Sequence, residues 1–420
     1  MFPFAEVLPL IIQIFLQTLT DLQFLPLYLM VVTIIAMQYR RAEKIKKDLF
    51  GVKAGGFWAD VFMSTGFGLL GGLVGSILMV FIGLSLSESG LIYLWPLAIL
   101  LMLINVRFLC FAYSGGLLSL SSLLLGFPQV SVPQIMALVA VLHMVESLLI
   151  LAGGHLGAAP AYIKGAAGRV TGGFTLQKFW PIPLVVLAAA GAGPLQGAVE
   201  MPQWWPLIKA VPNGDAQNMA YMLMPVIAGL GYGDVAIARN PLEKSRQSAI
   251  YLGLYSLALL IMAVLAGKSS TVMLAAALFS PLGHEAVVLI SRRSEFMEKP
   301  LYVAPGRGVR ILDVLPGGIA WRAGIRSGDI ILAINGVGLG SKSELEQLQQ
   351  SATYPQTVDY YSYTGGQSRR GVFAAISPGR QWGMLPVPEE NEDTYIELLQ
   401  GSLFGRWLKK LWSLLRVKNL

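Results

Sequence analysis

Near Pro300 the chain changes character, and this break constrains the fold more than any other feature. Up to about residue 291 it is a succession of apolar runs of about 15–25 residues, the length that crosses a hydrocarbon core about 30 Å thick. Beyond it, short apolar stretches alternate with Gly, Pro, Asn and Asp, the pattern of a small soluble module. The chain has 55% hydrophobic and 13% charged residues, against about 45–50% apolar and about 25% charged in soluble domains. A membrane protein with an appended soluble module is the expectation.

Helical spans are expected at 22–38, 61–84, 91–111, 112–127, 133–152, 180–197, 218–237, 248–266 and 271–290. A tenth candidate, Phe4–Leu19, is short, carries Glu6, Gln13 and Gln17, and reads as an interfacial helix or a first span. No basic n-region or cleavage site precedes it, so it is expected to be retained. Arg40, Arg41, Lys44, Lys46, Lys47 and Lys53 follow the 22–38 span, Lys164, Arg169 and Lys178 fall in 153–179, and Arg239, Lys244 and Arg246 in 238–247. The positive-inside rule places these segments, and the module after Arg292 and Arg293, in the cytoplasm. Small residues such as Gly66, Gly68, Gly71, Gly72 and Gly75 are expected to mark helix–helix contacts. The net charge of +7 is concentrated in such loops and the C-terminus, which argues for topology and lipid contact over nucleic acid.

In the module, Val309–Leu315 reads as a strand, Pro316-Gly317-Gly318 as a turn, Ala320–Ala323 as a helical turn closed by Gly324, and Ile330–Ile334 as a second strand before the tight turn Asn335-Gly336. Ser343 and Glu346 form a capping-box pattern opening a helix to Gln350, with Leu345 and Leu348 inward. Thr357–Tyr363 and Arg370–Ala375 read as a closing hairpin. An acidic linker, 387–397, leads to a segment over 398–420 whose Leu403, Phe404, Trp407, Leu408, Leu411, Leu414 and Leu415 recur with helical period. Its Arg406, Trp407, Lys409, Lys410, Trp412 and Arg416 suit an amphipathic helix lying on an anionic bilayer; packing on the bundle or a partner is the other reading.

No complete catalytic constellation is legible. His284-Glu285 invites comparison with the His-Glu-x-x-His helix of zinc proteases, but the second histidine position is Val288. Cys110 is the single cysteine, so neither a disulfide nor a thiolate cluster is expected, and no metal or cofactor either. His143 and Glu146 lie three residues apart on one helical face within the membrane. A buried hydrogen-bonded pair, proton or metal handling, and a contact to another subunit all remain open for them.

Val309–Leu315, Pro316-Gly317-Gly318-Ile319-Ala320, Ala323-Gly324-Ile325, Gly328-Asp329-Ile330-Ile331 and Ile334-Asn335-Gly336 together resemble the circularly permuted bacterial PDZ domain. That resemblance implies a small β-barrel with two helices, spanning 298–386, in which a peptide adds as a strand to a sheet edge beside a helix that supplies pockets. Mapped here, the edge is Gly308, Val309, Arg310 and Ile311, and the helix carries Leu345 and Leu348. Tyr302-Val303-Ala304-Pro305 lacks the apolar-Gly-apolar loop that captures a terminal carboxylate, so a C-terminus, an internal segment and a folded surface are all open as ligands. Trp321 is a candidate contact hot spot.

The whole chain, a bundle over 21–291 followed by this module, is similar to the MinJ-type membrane PDZ proteins of Gram-positive bacteria, with runs such as Asn105-Val106-Arg107-Phe108, Leu142-His143-Met144-Val145-Glu146, Gln177–Pro183 and Pro281-Leu282-Gly283-His284-Glu285. The resemblance implies a non-enzymatic scaffold at the septum and poles that links a DivIVA-type protein to a MinD-type partner within MinCD, with homo-oligomerisation open. A non-catalytic relative of PDZ-containing intramembrane proteases, regulating membrane clients, is the alternative.

Overall fold

The computed structural model describes residues 2–50, 56–86, 90–164, 168–192, 198–209, 219–350, 355–374 and 382–389. The linker beyond Glu389 and the expected basic helix, with Arg406, Trp407, Lys409, Lys410, Trp412 and Arg416, lie outside the described residues.

Helices α3 (Phe57–Ile82), α6 (Val132–Gly153), α7 (Pro241–Ala266) and α8 (Ser270–Met297) are each long and apolar enough to cross a membrane. α1 (Phe4–Thr20) and α2 (Leu25–Phe50) meet at a 72° bend and count together as a fifth, broken span. Phe2 packs on Phe81 near the end of α3, with ring centroids 5.2 Å apart, while the Tyr39 hydroxyl donates to Ser64 Oγ (3.2 Å) near its start. The pair therefore traverses the same depth as α3. Arg40–Lys47, expected in a loop, instead continues α2, because Ala42, Glu43 and Lys44 are strong helix formers.

The expected count of nine or ten helical spans is corrected in two places. Segments 91–111 and 112–127 form α4 (Leu91–Ile104), a 3₁₀ turn (Val106–Leu109) and α5 (Phe111–Leu125). At 14 and 15 residues these helices reach only about 21 and 22 Å. Both ends of the unit lie on one side of the bundle. Gly90 packs on Val130, and Gln134, at the start of α6, accepts from the Ser85 N–H (3.1 Å) and donates to the Gly83 carbonyl (3.4 Å) just past the end of α3. The unit is a re-entrant hairpin whose tip is 105–110, where the Asn105 side chain caps the 3₁₀ turn by accepting from the Arg107 N–H (3.2 Å).

The described residues of 180–197 and 218–237 are not helical either. β1 (Ala159–Lys164), β2 (Val170–Ala192) and β3 (Met219–Ala236) form an antiparallel sheet in that order. Pro181, Pro183 and Pro225 disfavour a helix interior, and cover on both faces gives β2 the near-continuous apolar run that imitates a span. β1 leaves β2 at Thr175, and beyond it the edge of β2 faces α3. Ser64 donates to the Phe179 carbonyl, and Ser76 Oγ accepts from the Val185 N–H (2.8 Å). Because alternate residues of a strand share an edge, Pro181 and Pro183 stand on this same edge, where their lack of N–H leaves no orphan donor at membrane depth. Their carbonyls lie against Gly68 and Gly72, where any Cβ would collide. Part of the small-residue stripe of α3 thus seats a strand edge rather than a helix, while Gly71 admits Leu149 of α6, Gly75 admits both Leu184 of β2 and Val145 of α6, and a Cβ at Gly66 would meet no neighbour.

Where α7, α8 and β3 converge, Lys244 is fully buried, 3.3 Å from Asp234 and 3.9 Å from Glu295, and donates to Ser291 Oγ (2.6 Å). Glu295 also binds Arg239 (3.0 Å) and accepts from the N–H groups of Ile237 (2.8 Å) and Ala238 (2.9 Å).

The soluble module follows α8. β4 (Val309–Val314), α9 (Ile319–Arg322), β5 (Ile330–Ile334), β6 (Val337–Gly338), α10 (Lys342–Gln350), β7 (Gln356–Ser362), β8 (Gln367–Phe373) and β9 (Met384–Pro386) form a sheet of order β8-β7-β5-β4-β9, with β6 on β5. Ile311, Ile325, Ile331, Val358, Phe373 and Trp382 belong to a separate core. Leu312, Leu385 and Val387, by contrast, join Phe174 and Tyr302 in the core of the membrane part. The module is seated on β2 by the Gly172 N–H to Tyr302 carbonyl bond (2.9 Å) and on the end of β3 by the Leu301 N–H to Ile237 carbonyl bond (2.8 Å). α10 is capped by Ser341 rather than Ser343: the Glu344 N–H donates to Ser341 Oγ (3.2 Å) and the Glu344 carboxylate accepts from the Gly340 N–H (2.8 Å). Both serines have a glutamate three residues on, and spacing alone does not separate them.

Candidate functional site

The strand expected to offer a free edge is paired on both sides. Val309 and Arg310 face Ile331 and Ile330 of β5, while Ile311 faces Pro386 of β9 and the Arg310 carbonyl accepts from the Val387 N–H (3.0 Å). Val309, Arg310 and Ile311 therefore belong to an interior strand of the sheet, whose outer edge here is β9, and Gly308 precedes that strand. Gly308, at φ 79°, lies where a Cβ would collide with the Ile331 carbonyl. Val309 and Ile311 are core residues, and Arg310 donates to the Leu301 carbonyl, tying the module to its connection with α8.

The Gly383 carbonyl accepts from the Leu315 N–H (2.7 Å), so Gly383 and Val387 face β4 while Met384 and Pro386 face outward. The outward ladder is short. Pro386 has no N–H, and its carbonyl already accepts from the Tyr162 hydroxyl of β1 (2.8 Å). Just before this edge, Trp382-Gly383-Met384 supplies an apolar-Gly-apolar turn, with Gly383 at φ 71° and Trp382 buried against Phe373 (4.8 Å). The turn lies after β8 rather than ahead of β4, and the triplet Trp382-Gly383-Met384 is its sequence signal. Of the helix residues, Leu345 is 2% exposed and packs in the module's core, so it is structural; Leu348 is half-buried beside it. Lys342 Nζ lies 5.3 Å from the Tyr162 ring, bringing the start of α10 to the end of β9. Trp321 is 37% exposed, with one face covered by the Arg326 guanidinium at 3.7 Å.

Within the membrane part, His143 and Glu146 both lie on α6, but the side chains that meet His143 Nε2 and its ring come from other elements. Cys110 Sγ, at the tip of the re-entrant hairpin, is 3.0 Å from His143 Nε2 and 3.6 Å from His284 Nε2 of α8. His143 Nδ1 meets the Val139 carbonyl (2.7 Å), and His284 Nδ1 meets the Tyr113 hydroxyl (3.3 Å). Tyr113 donates to Glu285 (2.7 Å), which also pairs with Arg107 (2.9 Å). Tyr255 is edge-on to both imidazoles, at 5.6 and 5.8 Å. No sequence spacing signals this cluster, because its members stand on three separate elements.

Comparison with protein families matches residues 310–358 to the PDZ domain. No curated protein matches the chain. The match runs from β4 into β7 and ends before β9, the strand that forms the outer edge. The protein is a polytopic membrane protein with a PDZ domain near its C-terminus, a fold for protein–protein interaction.

Proposed function

We propose that the protein is a membrane scaffold that recruits soluble partners by seating their chain ends along β9, between Met384 and α10. The observation that carries this reading is the short outward edge following Trp382-Gly383-Met384. A long internal strand would meet the donor-less Pro386, whose carbonyl Tyr162 already occupies. A C-terminal tail needs only one or two ladder bonds plus backbone donors at the turn for its carboxylate. Arg40, Lys164, Arg169, Arg239, Arg246, Arg292 and Arg293 gather at the end of the bundle that bears the module, which supports a cytoplasmic placement.

The narrower role, division-site selection between a DivIVA-type protein and a MinD-type partner at septum and poles, rests on the resemblance in architecture. The scaffold reading assigns the protein no catalysis. A library of peptides with free C-termini, selected on the full-length protein in nanodiscs, tests the binding mode. Selected peptides should lose binding when their C-terminus is amidated or when Met384→Pro removes the outward N–H. Selection of internal sequences indifferent to both changes would overturn it.

A further inference from the structure

We propose that Cys110, His143 and His284 form a binding site for a d10 transition-metal ion, Zn²⁺ being the probe of choice, at mid-depth in the membrane. The three ligand atoms lie within 4.8 Å of one another. Bonds of about 2.3 Å to sulfur and about 2.0–2.1 Å to imidazole nitrogen, set at tetrahedral angles, require S···N separations of about 3.5 Å. The two Sγ–Nε2 distances, 3.0 and 3.6 Å, bracket that value.

The hydrogen bonding outside the cluster argues in the same direction. A carbonyl can only accept, so His143 carries its proton on Nδ1, facing Val139. Tyr113 spends its hydroxyl proton on Glu285, so it too accepts, and His284 likewise holds its proton on Nδ1. Both Nε2 lone pairs therefore converge on Cys110 Sγ. A thiol has one proton and satisfies one of them; a cation satisfies both, together with the thiolate. Metal-bound histidines are oriented by such contacts on the far ring nitrogen, and here the His284–Tyr113–Glu285–Arg107 chain fixes one ring while the α6 backbone fixes the other.

The elements that carry the ligands give the site a purpose. His143 lies mid-way along the buried α6, His284 mid-way along α8, and Cys110 at the tip of a hairpin that re-enters from one side. Non-helical backbone at such depth is tolerated where protein encloses it, and a cation there ties the tip to two spans. Three protein ligands leave a fourth coordination position for water or a further donor.

The test uses full-length protein carrying no histidine tag, equilibrated with Zn²⁺ and then freed of excess. Elemental analysis should find about one equivalent of zinc per chain, and Co²⁺ should give a thiolate-to-metal charge-transfer band with the intense d–d bands of a tetrahedral site. Cys110→Ser, His143→Gln and His284→Gln should each cut bound metal at least tenfold, and Tyr113→Phe should weaken binding by about 10–100-fold. Because a ligand variant can fail to fold, a second readout leaves the chain unaltered. Cys110 is the single cysteine, so its alkylation by a membrane-permeant maleimide should slow at least tenfold with Zn²⁺ and recover with chelator. Folded wild-type protein that holds under a tenth of an equivalent of Zn²⁺, or an alkylation rate indifferent to the metal, would overturn the proposal.

Discussion

Ser76 offers the sharpest test of how β2 is held inside the bundle. Its hydroxyl is fully buried, donates to the Gly72 carbonyl (2.6 Å) and accepts from the Val185 N–H (2.8 Å). Ser76→Ala removes one oxygen without steric change. The Gly72 carbonyl keeps its place in the helix ladder, but the Val185 N–H faces α3 with no acceptor. An unsatisfied buried donor costs about 1–3 kcal/mol. Ser119 provides an internal control: it is equally buried, and its hydroxyl has no hydrogen-bond partner among the described residues. Ser119→Ala should therefore be neutral or slightly stabilising. Reversible unfolding in mixed micelles of rising dodecyl sulfate content compares the two. A Ser76→Ala cost below about 0.5 kcal/mol, or one equal to that of Ser119→Ala, would refute the strand-on-helix seating, since the variant would then have left no buried donor unmet.

Three further outcomes are expected. Lys244→Met should destabilise the junction of α7, α8 and β3 by about 3–5 kcal/mol, the cost of stranding a buried partner, read by the same unfolding assay; a loss under 1 kcal/mol would show that the carboxylates are served otherwise. Burial raises the pKa of Asp329 above its ordinary value against the N–H bonds from Tyr363 and Arg326. Its contribution is thus fully present below the unfolded value of 3.8 and lost as pH rises through the folded one. Asp329→Asn should flatten that part of the module's pH–stability profile, and an unchanged profile would contradict the assignment. A peptide covering Gly401–Leu420 should become helical on anionic vesicles and release in salt, each basic residue contributing about 1 kcal/mol; equal binding to neutral vesicles would count against a surface-binding helix.

The sequence is legible where local chemistry decides structure. The break near Pro300, the Asn335-Gly336 turn, with Asn335 at φ 50°, and the turn closed by Gly324 all stand where residue type places them. The misread segments are those where tertiary cover decides. β2, buried on both faces, and β3, apolar even where Met222 and Met224 are exposed, both have the composition of a span, so 180–197 and 218–237 read as helices despite Pro181, Pro183 and Pro225. Segments 91–111 and 112–127 read as two spans, although together they enter and leave on one side. Each error replaces two crossings by a unit that also returns to its starting side, which is why the grouping of basic segments at one end survives both. The Cys110–His143–His284 cluster was invisible because its residues are up to 174 positions apart. The outer strand was missed because β9 arrives only after the whole module has been laid down.

Crosslinking in living cells from a photoreactive residue at Gln349, on the half-buried side of α10, tests the scaffold directly, with exposed Glu346 as the control position. The account predicts that Gln349 yields an adduct with a soluble protein, that Glu346 does not, and that Met384→Pro abolishes the adduct while the protein remains folded in the membrane. An adduct of equal yield from both positions, or one that persists unchanged in the Met384→Pro chain, would contradict recruitment along β9.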